Sequence, residues 1–204
     1  SWVCTHGKCR HCKAKVSIRY PLTELACALG TVAIAWHYGQ TLEALALIGL
    51  WWGTVALIIT DLEHYIILDE VQITLGLFAP LYNYALQLPL VDAFESAAVG
   101  AAIGLTLKYG FLYLRNKDGL GLGDVKFLFV AGLWLANPYS FVPFLFYSGV
   151  LGVVLGLAWQ YVVKSERFPF GPALAASLLI CIITPEIAQE FWNLYGLLQE
   201  SGTP

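Results

Sequence analysis

Residues 41–61 read TLEALALIGLWWGTVALIITD, and this stretch decides the fold. No charged side chain interrupts it between Glu43 and Asp61. A helix of about 20 apolar residues is long enough to cross the hydrocarbon core of a bilayer. Similar apolar runs lie on either side, at 22–38, 71–91, 93–114, 125–136, 139–163 and 172–196. Together they predict seven helices. The turns fall at His37-Tyr38-Gly39-Gln40, 61–70, Leu88-Pro89-Leu90, 115–124, Asn137-Pro138 and 164–171.

Composition agrees. Of 204 residues, 58% are hydrophobic and 12% charged, against about 25% charged in a soluble domain. So few charges cannot cover a soluble surface, and so much apolar surface excludes disorder. A helix and its turn take roughly 25–30 residues, so the chain holds six or seven spans. The expected fold is an all-α polytopic membrane bundle of about seven transmembrane helices. A short cytoplasmic Cys-containing segment, 1–21, precedes a membrane domain, 22–198. Ser1 begins the sequence and no Met occurs, so the N-terminus is expected to be a truncation or a processed end. No signal peptide is visible. Gly100, Gly104, Gly149, Gly152 and Gly156, with Ala97, Ala98, Ala101 and Ala102, are expected to let helices approach closely. No internal repeat of the kind found in transporters stands out.

The basic residues set the orientation. Lys8, Arg10, Lys13, Lys15 and Arg19 precede the first helix. Arg115, Lys117 and Lys126 flank the turn after the fourth, and Lys164 and Arg167 follow the sixth. All fall on one side, which the positive-inside rule makes cytoplasmic. Lys108 alone lies within a helix, near that side, where it can snorkel. With a net charge of −3, and all but Lys108 of its 11 Lys and Arg in or beside a few loops, the chain is not expected to bind nucleic acid. Membrane lipid is its expected surroundings.

The acids carry the chemistry. Asp61 ends the second helix, Asp69 and Glu70 open the third, and Asp124 opens the fifth directly after Gly121-Leu122-Gly123. Ionisable groups at a membrane edge are expensive and usually functional. Asp69 and Glu70 are equally readable as helix-capping residues. Asp61 is not, because a carboxylate at a helix C-terminus meets the negative end of the dipole, so something else must hold it. Two aspartates from different helices can converge on one water: one carboxylate deprotonates it, and the other donates to the scissile carbonyl. By helix polarity Asp124 is the expected base and Asp61 the expected protonated partner. Gly121 and Gly123 would let a substrate strand approach closely.

Six stretches now resemble one family. They are Lys8-Cys9-Arg10-His11-Cys12-Lys13-Ala14, Ser17-Ile18-Arg19-Tyr20-Pro21-Leu22-x-Glu24-Leu25, Thr60-Asp61-Leu62-Glu63-His64, Ile67-Leu68-Asp69, Gly121-Leu122-Gly123-Asp124-Val125-Lys126 and Pro169-Phe170-Gly171-Pro172. In that order they resemble the type IV prepilin peptidases, polytopic inner-membrane aspartyl proteases of the GxGD type. The resemblance implies Asp61 and Asp124 as the catalytic pair, with Asp69, Glu63, Glu70, Gly121 and Gly123 in supporting or substrate-binding roles. It implies prepilin or pseudopilin substrates cut at the cytoplasmic face of a bacterial inner membrane. It also implies N-methylation of the new N-terminus by S-adenosylmethionine, although no stretch reads as a nucleotide-binding loop. Other readings are a preflagellin-type peptidase and a proton-coupled transporter.

Two features depart from the family pattern. Leu68, not Pro, precedes Asp69, and one CxxC pair stands where two are typical. Cys9 and Cys12 give two thiolates to a tentative structural zinc. A closed site needs four ligands, and Cys4, His6 or His11 are the candidates to complete it. The alternative is a half-site with reduced thiols. Cys27 and Cys181 lie in apolar runs as small buried hydrophobes.

Overall fold

The structure is a computed structural model, and it describes residues 2, 5, 7–115, 120–164 and 168–186. Among these the chain is helical apart from one isolated bridge, Lys8 to Lys15. Seven helices follow in order: α1 Arg19–Tyr38, α2 Leu42–His64, α3 Asp69–Ala85, α4 Leu90–Arg115, α5 Leu122–Leu135, α6 Phe141–Val163 and α7 Gly171–Ile183. A 3-10 turn, Pro138–Ser140, leads into α6.

Among the described residues, three stretches are long and apolar enough to cross a membrane: Leu42–His64, Leu90–Leu114 and Pro138–Val163. Gly171–Ile183 is apolar but shorter. Large apolar side chains face outward on several helices, with Leu77 73%, Leu114 81% and Val162 76% exposed. Water would penalise such a surface, and lipid would not. The protein is a helical membrane protein. The sequence reading carried the last helix unbroken from 172 to 196, but α7 stops at Ile183. Pro185 lacks an N–H and disfavours helical geometry at Thr184, whose φ and ψ are −123° and 67°. Residues 187–196 of that prediction lie outside the described residues.

The core lies where α2, α3, α5 and α7 meet, around Leu50, Leu57, Leu75, Phe127, Trp134 and Leu178. The closest helix pair is α4 against α5. There Gly132 faces Ala97 so tightly that an added Cβ would come within 2.4 Å of the Ala97 Cα, and one on Gly100 would come equally close to the Leu128 carbonyl oxygen. The small residues predicted to allow close packing do so at Ala97, Gly100 and Gly104, whereas Gly149 meets nothing within 4 Å. Three side chains stitch α3 to α5: Asn83 Nδ2 donates to Leu133 O (2.8 Å), Trp134 Nε1 to Leu75 O (3.0 Å) and Gln72 Nε2 to Gly123 O (3.3 Å). A buried amide left unpaired is costly, so these bonds fix α5 and the turn before it against α3.

Candidate active site

The end of one helix, α2, and the starts of three others, α3, α5 and α7, converge at one end of the bundle. Helix α2 runs through Asp61 to His64 and closes on Tyr65, whose backbone is left-handed (φ 57°) and whose N–H donates to Asp61 O. That turn brings Ile66 and Ile67 back under the start of α3. From the opposite side Gly121 caps α5, so that Asp124 sits in the first helical turn. Between them lies a cavity of ≈ 720 Å³, lined by Asp61, Tyr65, Asp69, Leu120, Gly121, Gly123, Asp124, Lys126 and Phe170, among others. The two aspartates from α2 and α5 therefore share one cavity, as the sequence reading expected. They are near enough for the charge of one to act on the other.

Each carboxylate is held by a backbone N–H. Asp124 Oδ2 accepts from Gly121 N at 3.1 Å, the reach-back half of a capping box. Asp61 is 5% exposed, and its Oδ2 accepts from Gly171 N at 2.7 Å across 110 residues. Gly171 is the first residue of α7. The N-terminus of α7 is thus what holds Asp61 at the unfavourable end of α2. Both aspartates then meet a helix N-terminus, and helix polarity does not distinguish base from acid, contrary to the expectation from α2 alone. The sequence reading quoted Pro169-Phe170-Gly171-Pro172 without giving it a role. Its signal was the glycine itself: an added Cβ would lie 2.7 Å from Asp61 Oδ2 and 3.0 Å from Leu57 Cδ2.

Asp69 lines the same cavity and is paired with Lys126, whose Nζ lies 2.8 Å from both carboxylate oxygens. Both side chains are more than half exposed, so the pair is worth about 1 kcal/mol at most. It fastens the start of α3 to α5 across the cavity. Gly123 takes its place against Ile67, where a Cβ would meet the Ile67 Cβ at 3.2 Å. Glu63 and Glu70 stand outside this cavity. Glu63 pairs with Arg19 beside an apolar groove between α1 and α2, and Glu70 lines a shallow depression between α2 and α3. His64 lies 3.9 Å from Glu63 and is exposed.

Cys9 and Cys12 occupy a small hairpin. Cys9 N donates to Ala14 O (2.8 Å), Lys13 N donates to Cys9 O (3.0 Å), and Lys13 takes the left-handed conformation (φ 60°) that turns the chain. Backbone N–H groups of Cys12 and His11, and the Cys12 thiol, hold the Cys9 thiol below its ordinary range. The hairpin places two free thiols three residues apart, half of the ligand set a closed zinc site needs. No group of three or more candidate ligands occurs among the described residues, and Cys4 and His6 lie outside them. S-adenosylmethionine finds no fit in the glycine turn, where the Gly121 N–H that would meet an anion is already engaged by Asp124.

A helical membrane protein with two aspartates from separate helices on one cavity has the makings of a membrane aspartic hydrolase. Comparison with known proteins is more specific. The Type IV leader peptidase family matches residues 47–157, and the Bacterial Peptidase A24 N-terminal domain matches residues 1–38. The chain belongs to the type IV leader peptidase family. It is 35% identical over 188 residues to a prepilin leader peptidase/N-methyltransferase of Stutzerimonas stutzeri, covering 90% of this chain and 64% of that protein. Identity to the Pseudomonas aeruginosa protein of the same name is 33% over 190 residues, with the same two shares. To that of Dichelobacter nodosus it is 31% over 201 residues, covering 94% of this chain and 67% of the relative. The chain thus spans a little under two thirds of the first two relatives' lengths. No solved structure matches it.

Proposed function

We propose that this chain is an aspartic endopeptidase that removes the basic leader of prepilins or pseudopilins, with Asp61 and Asp124 as its catalytic pair. The observation that carries this reading is that α2 and α5 present one carboxylate each to a single cavity, each anchored by a backbone N–H. One carboxylate removes a proton from water as the water oxygen bonds the scissile carbonyl carbon. The other gives its proton to the carbonyl oxygen. The resulting tetrahedral intermediate collapses as the amine leaving group takes up a proton from the first acid, the C–N bond breaks, and a hydroxyl of the intermediate returns its proton to the second carboxylate as C=O re-forms. Glycine at 123 lets the start of α5 close on Ile67, and glycine at 121 leaves the Asp124 carboxylate uncrowded beside its N–H donor. Neither a transporter nor a preflagellin-type peptidase gains support from an observation of its own.

The fuller topology belongs to the same proposal. All seven helices cross a bacterial inner membrane, residues 22–198 form the peptidase domain, and the cavity faces the cytoplasm. Its support is that the Lys and Arg of the chain gather at the cavity end, before α1, around the 115–124 turn and after α6, although the 61–70 loop at that end is acidic. The relatives' names also carry an N-methyltransferase activity, which we extend to this chain on that resemblance. Zinc, held by Cys9 and Cys12 with further ligands, would tie the 7–16 hairpin into the cytoplasmic segment and would supply no proteolytic chemistry. The test is to incubate the purified protein in detergent with a prepilin and to mass the products. A single cut between the basic leader and the apolar segment supports the reading. An intact prepilin, or cuts scattered elsewhere, refutes it.

A further inference from the structure

Lys108 is the one charge in α4 between Glu95 and Arg115, in an otherwise apolar helix. A charge there is costly unless it is used or reaches water. Snorkelling toward the interface accounts for its depth, but its direction is specific. Its Nζ donates to Leu120 O at 3.1 Å, and the residue is only partly exposed. Leu120 O and Gly121 N belong to the same peptide group. On the far side of that group, Gly121 N donates to Asp124 Oδ2 at 3.1 Å. In a trans peptide the C=O and N–H point in opposite directions, so the two bonds are in series. An ammonium bonded to the carbonyl polarises the amide and strengthens the donor on its other side.

We infer that Lys108 is a positioning residue for Asp124, acting through the Leu120–Gly121 peptide: it pins the glycine turn to α4 and sharpens the N–H that orients the Asp124 carboxylate. This rests on the peptidase reading above, with Asp124 as one of the pair. Gln72 holds the same turn from the α3 side through Gly123 O. The turn is therefore clamped from two helices, and only the α4 clamp carries charge. No other element supplies a cation to this peptide among the described contacts. Lys126 lies one helical step past Asp124 but is spent on Asp69.

The test uses the full chain in detergent, a prepilin peptide, and single-turnover as well as steady-state rates. Lys108→Met removes donor and charge, Lys108→Gln keeps a donor without charge, and Lys108→Arg keeps both. Expected for Lys108→Met is a loss of about 10-fold in kcat with KM within about twofold of wild type, the pattern of an interaction that serves the reacting group. Lys108→Arg should recover kcat to within about threefold, and Lys108→Gln should fall between. In an Asp124→Asn background, Lys108→Met should cost less than about twofold more, because the two act as one unit. The inference is overturned if Lys108→Met keeps wild-type kcat, if its loss appears in KM, or if the loss is equally large in the Asp124→Asn background. Should Lys108→Met fail to fold, the order Arg above Gln in kcat decides; equal rates for those two overturn it. Near-wild-type activity of Asp124→Asn would instead overturn the catalytic pair itself, and this inference with it.

Discussion

Replacing Gly171 with Ala adds a single methyl group at the most crowded point of the site. The methyl would lie 2.7 Å from Asp61 Oδ2, 3.0 Å from Asp61 Cγ and 3.0 Å from Leu57 Cδ2. Contacts of ordinary size need about 3.5 Å or more, so the Asp61 carboxylate must retreat by roughly 0.5–1 Å. That retreat lengthens or breaks the 2.7 Å bond from Gly171 N. Leaving a buried carboxylate short of a charge-assisted hydrogen bond costs about 1.5–3 kcal/mol, and overpacking adds about 1–3 kcal/mol. A misplacement of this size at a reacting group lowers the rate about 10²-fold. The assay is cleavage of a prepilin peptide by purified Gly171→Ala protein, with thermal unfolding followed alongside. The expected result is a kcat loss near 10²-fold in protein that still unfolds cooperatively. Wild-type kcat in the variant would refute the assignment of the α7 N-terminus as the support of Asp61.

Lys126→Ala and Asp69→Asn should each lower activity several-fold rather than abolish it, because they remove an exposed clamp beside the cavity and not a reacting group; equal loss in Asp69→Asn and Asp124→Asn would contradict this. Cys9 should be alkylated by iodoacetamide at lower pH than a free thiol such as that of glutathione, because its thiol is held below the ordinary range and its thiolate fraction rises earlier as pH increases. Mass spectrometry of partly labelled protein reads the rate at Cys9 against pH, and a profile no lower in pH than that of the free thiol would refute it. A zinc chelator should leave peptide cleavage within about twofold of untreated protein as long as the fold is retained, since no zinc-hydrolase ligand set with an open position is present among the described residues. Loss of cleavage restored by zinc, without unfolding, would contradict the two-carboxylate chemistry.

The helices were legible because hydropathy is a local property. Runs of apolar residues broken by Gly39, Pro89, the glycine turn and Pro138 fall close to the observed helices, with ends displaced by a few residues. The end of α7 was misread because scattered apolar residues past Thr184, among them Ile187, Phe191 and Leu194, extend the apolar pattern in sequence while Pro185 disfavours helical geometry at Thr184. Asp61 and Asp124 were legible as acids at helix ends placed on one side by alternating the spans. What the sequence concealed were relations between distant backbone groups. Nothing near Asp61 in sequence announces that its carboxylate is held by an N–H 110 residues away. The sequence places Glu63 and Glu70 beside the two acids by chain proximity alone. They neighbour Asp61 and Asp69 in sequence, yet the helix period turns Glu63 toward Arg19 and Glu70 toward the α2–α3 depression. Lys108 read as a snorkelling residue because its partner, Leu120 O, is a main-chain atom with no sequence signature.

The central claim is that proteolysis depends on two carboxylates working as one unit in the cavity between α2, α5 and α7. Single-turnover cleavage of a prepilin peptide by Asp61→Asn, Asp124→Asn and the double variant tests it most directly. Asn keeps the shape and removes the titratable oxygen. Each single variant should lose roughly 10²-fold or more, and the double variant should be little worse than the weaker single, as for residues sharing one catalytic step. Near-wild-type cleavage by either single variant, or losses that multiply in the double variant, would contradict it.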